Sequence, residues 1–231
     1  MFTTERFIAK IWAAWMLIVM LSVFIGGAVP KILAIPAIVA VIAMTVWCIE
    51  CAYRTVRFVN YANLRLFFNL SFAPLFATMV TLIIAHKKMK LDVLPSVALG
   101  VAPIVLALLA YALAYYWRSK SSVLQFQGNR VESREPPQKV QWWQAGLSAG
   151  LSSLAYPLMK TNDVPMTGLI YGFVFISLFM IFYNRDKISA LRELKAREVR
   201  ENRRYTFMDI ESIQDMRAAS WLGRLFAVRA R

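Results

Sequence analysis

Long apolar runs broken by short polar stretches set the pattern of this chain. Six of them read as membrane spans: Ile8 to Val29, Ile32 to Ile49, Leu66 to Ala85, Leu91 to Tyr116, Trp142 to Met159 and Pro165 to Tyr183. A helix needs roughly 20 mainly apolar residues to cross about 30 Å of hydrocarbon, and each run comes close to that length or exceeds it. Pro30 and Lys31 alone separate the first two, which predicts a tight helical hairpin. Trp47, Trp117, Trp142, Trp143 and Tyr183 lie at run ends, where aromatic rings favour the headgroup level. The fifth run is the least hydrophobic of the six.

The sixth run passes into NRDKISALRELKAREVRENRR with no turn signal between them. One long helix is therefore expected to leave the bilayer at Tyr183, carrying eight Lys/Arg between residues 185 and 204. Glu193 with Arg197 and Glu201 with Arg204 stand at spacings that support a helix. Ile188, Leu191 and Leu194, followed by Val199, form a narrow apolar stripe, enough to meet one partner helix. Further on, Trp221, Leu222, Leu225 and Phe226 alternate with Arg217, Arg224, Arg229 and Arg231. Such a segment reads as a short amphipathic helix that lies on an anionic leaflet or docks a partner. The expected fold is an all-α polytopic membrane protein, with a transmembrane bundle at 1–184 and a basic helical tail at 185–231.

Charge sets the expected sidedness. With the N-terminus in the cytoplasm, the inner segments hold Arg6, Lys10, Arg54, Arg57, Arg65, Arg118, Lys120, Arg130, Arg134 and Lys139, plus twelve Lys/Arg in the tail. The outer segments hold Lys31, Lys87, Lys88, Lys90 and Lys160. Basic residues collect on the cytoplasmic side of membrane proteins, so both termini are read as cytoplasmic, and parity then favours the weak fifth span. The connection 118–141 contains Pro136-Pro137 and, in VLQFQGNRVE, a candidate short strand pair. No internal repeat is visible, and the first run reads as an uncleaved anchor.

Composition agrees with the pattern. The chain has 231 residues, 59% hydrophobic and 17% charged, which falls outside the soluble range. Lys and Arg outnumber Asp and Glu by 27 to 13, a balance that on a soluble protein would suggest nucleic acid. Here the excess sits in connections and tail, so membrane lipids with anionic headgroups are the expected partners and nucleic acid is not.

Candidate chemistry is sparse. Cys48 and Cys51 form Cys-Ile-Glu-Cys, which places two thiols on one helix face, a weak redox or half-metal candidate. It has no second cysteine pair, and the reducing cytoplasm works against it. His86 is the sole histidine, too few for haem ligation between helices or for histidine-metal hydrolysis. Glu50, Asp92 and Asp163 sit at span ends, so no carboxylate marks a proton path at mid-membrane. No cofactor is expected.

Small residues carry the positive signal. Asn69, Ala73, Ala77 and Thr81 repeat along the third span, and Ala145, Ala149 and Ser153 along the fifth, with Gly146 and Gly150 beside them. Such faces let helix backbones approach closely, within one chain or between subunits. Together these features point to a non-catalytic subunit or scaffold of a larger bacterial inner-membrane assembly, such as a secretion, conjugation or transport machine. Its partners would be membrane proteins or further copies of itself. The alternative is a small transporter or channel for a neutral solute; a membrane enzyme acting on lipid or quinone comes third.

Overall fold

The structure, a computed structural model, describes residues 6–28, 33–117, 123–133 and 164–226. Its helices are α1 (Phe7–Ala28), α2 (Ala34–Ile49), α3 (Phe58–Ile83), α4 (Val93–Tyr116), α5 (Val164–Tyr183), α6 (Arg185–Glu201), α7 (Ile210–Ala219) and α8 (Trp221–Phe226). Two of them run on as π-helical segments, Glu50–Arg54 after α2 and Ile84–Lys88 after α3. Four helical stretches, Phe7–Gly27, Ala34–Arg54, Phe58–Lys87 and Val93–Tyr116, are long and apolar enough to cross a membrane. That is the build of an α-helical membrane protein. The fifth run, with Ala145, Gly146, Ala149, Gly150 and Ser153, lies outside the described residues.

α1 and α2 pack as the expected hairpin, tied by the Trp15 indole N–H donating to the Thr45 hydroxyl at 2.9 Å. α3, α4 and α5 pack on one another, and α1 joins them along α3. α2 stays on the outside: Cys48 is the one buried residue within it, while Ile35, Ile38, Val39, Ile42 and Val46 are each more than half exposed. Exposed apolar side chains of this kind are at home against lipid, the solvent that a spanning helix faces. α4 buries Ser96, Gly100, Pro103, Ala107, Ala110 and Ala114, small or compact residues at alternating spacings of four and three. At Gly100 the helices meet so closely that a Cβ would overlap Leu82 Cδ2 of α3.

α3 starts at Phe58, well before the expected Leu66, because Phe58, Val59, Tyr61, Ala62 and Leu64 are all buried. Arg65 is accommodated within the helix, donating from Nη1 to the Lys10 carbonyl at 3.3 Å. The single long helix expected to leave the bilayer is divided at Asn184. This residue donates through N–H and Nδ2 to the Met180 carbonyl, and its own carbonyl accepts the Lys187 and Ile188 amides, so α6 restarts at once.

The candidate strand pair is present. β1 (Leu124–Gln127) and β2 (Arg130–Ser133) run antiparallel, joined through Gly128-Asn129. Gly128 has φ +61°, as a two-residue hairpin turn with glycine in first place requires. From the tail, β3 (Thr206–Phe207) adds a third strand parallel to β2, pairing Arg130 with Thr206 and Val131 with Phe207.

The contact at Gly100 yields a test. Gly100→Leu should wedge α4 away from α3 and lower stability by about 1–3 kcal/mol, the usual cost of overpacking. Gly100→Ala should cost less, because the tip of Leu82 can move aside. Thermal unfolding in detergent distinguishes the two.

Candidate functional site

Where α2 gives way to α3, two helix ends face each other. The last carbonyls of a helix and its first amides lack partners within it. At this junction the tail meets three of the carbonyls and the first amide of α3. Arg217 of α7 is 5% exposed and donates from Nε to the Ala52 carbonyl at 2.7 Å, and from Nη2 to those of Thr55 at 2.8 Å and Cys51 at 3.3 Å. A cation there also meets the negative end of the helix dipole. Burial pushes the guanidinium below its ordinary value, and the Phe7 ring lies 5.7 Å from its centre.

The opposite helix end is met by backbone. The Phe58 amide, first in α3, donates to the Tyr205 carbonyl at 3.0 Å. The Tyr205 amide donates to Glu198 Oε1 at 3.0 Å, and Glu198 Oε2 accepts from Arg57 Nη2 at 2.7 Å. Arg57 directly precedes Phe58, so the circuit closes on itself. It needs a bend after α6, which Asn202 supplies at φ 48°, a left-handed conformation that asparagine adopts more readily than most residues.

Between the two capped ends sits Phe207, fully buried. Its ring centroid lies 5.4 Å from that of Phe58 and 5.5 Å from those of Phe7 and Tyr61. Val131, Leu194 and Ile213 are also buried to 1% exposure or less. This cap gathers the starts of α1 and α3, the end of α2, the β-hairpin and the tail into one core. The hairpin is fastened by Arg130, which donates to both Glu211 carboxylate oxygens at 2.6 and 3.1 Å and to the Met208 carbonyl at 3.0 Å.

The structure thus turns much of the basic tail inward. Ile188, Leu191 and Leu194 are buried as α6 packs on α3 and α4, so this stripe meets helices of its own chain. Val199 stays 83% exposed. Arg192 donates to the Tyr115 carbonyl, and its guanidinium lies over the Tyr115 ring, as those of Arg185 and Arg197 lie over Trp117 and Phe126. Arg217, expected on the basic face of a surface helix, is instead buried as a cap on three carbonyls where α2 ends.

The remaining predicted tail residues divide. Trp221 and Leu225 are 74% and 63% exposed, Arg224 and Phe226 are also exposed, and Leu222 packs against the core. On α3, Ala73 and Ala77 are buried, while Asn69 and Thr81 are half-buried, with the Thr81 hydroxyl donating to the Ala77 carbonyl at 2.8 Å. Cys48 and Cys51 are both buried free thiols, and Cys51 Sγ lies 3.7 Å from the Asn60 carbonyl. Among the described residues no three His, Cys, Asp or Glu side chains come together as a metal site.

Arg57, Glu198, Tyr205 and Phe207 are the residues that sequence reasoning missed. Glu198 left a trace: it continues the spacing of Ile188, Leu191 and Leu194, a carboxylate where a buried residue is due. Phe207 left none beyond being an aromatic in a basic tail. Comparison with protein-family models, curated proteins and solved structures finds no match for this chain.

Two expectations follow from this geometry. Arg217→Met should leave three carbonyls unpaired and destabilise the cap by about 3 kcal/mol or more, at 1–3 kcal/mol for each unmet group. Arg217→Lys should rescue it poorly, since one ammonium cannot reproduce the fork. Protease cutting between residues 203 and 226, read on gels, reports both. The second concerns acid. The Arg130 hydrogen bond holds the Glu211 carboxyl below its ordinary 4.5, and the Tyr205 hydroxyl and Arg197 hold Glu201 below it too. A carboxylate whose folded pKa is depressed stabilises above its unfolded value and loses that contribution as pH falls through the folded one. Tail protection should therefore hold from pH 7 to 5 and decline below about 4.5.

Proposed function

We propose that this protein is a non-catalytic subunit or scaffold of a larger assembly in a bacterial inner membrane, crossing it six times with both termini in the cytoplasm. The observation that carries this reading is the use of charge in the cap. Arg57, Arg130, Arg192, Arg217, Glu198 and Glu211 are engaged in holding the chain to itself. Meanwhile Trp221 and Leu225 stand free on the outside of that rigid cap. A large apolar pair presented by a fixed base suits a docking surface.

The six-span count draws support from connectivity. Trp117 at the end of α4 and Arg185 just after α5 lie together, 5.9 Å apart, so α4 and α5 finish at the same end of the bundle. Ser133 sits in the cap at that end, whereas α5, 20 residues long, begins with Val164 at the opposite end. Residues 134–163 lie outside the described residues, and in the six-span reading Trp142 to Met159 is the run assigned to cross between these two ends. The cytoplasmic assignment of the capped end rests on its Lys/Arg.

The alternative, a path for a neutral solute, draws on one observation. The Ser71 and Thr78 hydroxyls of α3 are buried and have no hydrogen-bond partner among the described residues. If they line such a path, Thr78→Val should abolish flux in reconstituted vesicles.

Co-purification in mild detergent tests the main reading. Wild-type protein should bring other membrane proteins with it. Trp221→Glu with Leu225→Glu should release them while leaving the melting temperature unchanged, since both side chains are exposed. A partner-free wild-type monomer contradicts the proposal. Protease added to sealed right-side-out cells should spare residues 185–231, and trimming of the tail contradicts the assigned sidedness.

A further inference from the structure

We propose that the cleft between the end of α2 and α8 binds the headgroup of an aminophospholipid, a phosphodiester bearing a primary ammonium. The cleft measures about 530 Å³, within the range of small-molecule sites. Its walls change character along their length. Val46, Ile49 and Phe226 form an apolar side, and Glu50 and Arg54 form a charged one.

The charges decide the ligand class. Glu50 and Arg54 are exposed, and among the described residues neither side chain has a hydrogen-bond or ion-pair partner, including each other. Arg57 also lines the cleft, but its Nη2 is committed to Glu198 at 2.7 Å. Arg57 Nε has no partner, but the Arg57 charge is balanced by Glu198; among the described lining residues Arg54 and Glu50 are the cation and carboxylate without an ion pair. A phosphodiester can take charge-assisted hydrogen bonds from the Arg54 guanidinium, and a primary ammonium can donate to Glu50. An anionic lipid without an ammonium would set its negative charge beside Glu50. A choline headgroup has no N–H to donate.

The apolar wall decides between a lipid and a soluble phosphate ester. Ile35, Ile38, Val39, Ile42 and Val46 form an exposed stripe along α2, and Val46 belongs to the cleft itself. An acyl chain lying on that stripe delivers its headgroup between Glu50 and Arg54. A soluble phosphoethanolamine would leave both the stripe and Phe226 uncovered.

Native mass spectrometry of the purified full-length protein tests this, with phosphatidylethanolamine, phosphatidylglycerol, phosphatidylcholine and free phosphoethanolamine added separately. The expected result is one retained phosphatidylethanolamine, bound at least tenfold more tightly than the other two lipids, with no retained phosphoethanolamine. Arg54→Gln should weaken that binding about tenfold. Glu50→Gln should erase the preference for ethanolamine over choline. Equal retention of the three lipids by the wild-type protein overturns the proposal without any variant. So does preferential binding of phosphatidylglycerol, binding of the soluble ester alone, or variants of unchanged melting temperature that bind as the wild type does.

Discussion

A helix that stops at a membrane boundary leaves backbone groups that something must satisfy, and the connection from α2 to α3 does this twice within a few residues. Within the connection, the Thr55 amide covers only the Glu50 carbonyl, and the Thr55 hydroxyl only the Arg57 amide. The chain solves the problem with residues about 150 positions away in sequence: Arg217 covers the carbonyls, and the Tyr205 carbonyl takes the first amide of α3. Each unmet group would cost about 1–3 kcal/mol where water is excluded. That penalty makes the tail part of the membrane domain rather than an appendage to it.

The two halves of the molecule are held by different forces. Against lipid, apolar helices gain little by meeting, so close backbone contact and packing have to suffice. α4 fits that demand, with its buried series of Ser96, Gly100, Ala107, Ala110 and Ala114. In the cap it is aromatic surface that is packed away from solvent. Phe7, Phe58, Tyr61 and Phe207 are accordingly among the largest fully buried side chains. The cap therefore fixes how α1, α2 and α3 meet at this end of the bundle.

Four of the six expected spans are helices long and apolar enough to cross a membrane, legible because hydrocarbon thickness imposes a length that can be counted residue by residue. The α1–α2 hairpin, α4 and the strand pair in VLQFQGNRVE were readable for similarly local reasons, as twenty-residue runs and a Gly-Asn turn carry their own signatures. The fate of the tail was not. The stripe of Ile188, Leu191 and Leu194 reads as a face for one partner helix, yet it is buried against α3 and α4 of its own chain, and Glu198 is buried beside Arg57 and Tyr205. Arg217 stands among other arginines of the same tail, and nothing local separates the one that caps a helix from those that remain in solvent. The small-residue face of α4 escaped for the opposite reason: its spacing is regular, but Leu and Val between the alanines hide it in a uniformly apolar run.

Hydrogen exchange at the amides of Phe58 and Tyr205, in full-length protein in lipid nanodiscs, tests the account most directly. Both should exchange as slowly as the middle of α3, and Glu198→Gln should accelerate them together. Rapid exchange of Tyr205 in the wild type, with Phe58 still protected, would show that the tail does not cap the junction and would contradict the account.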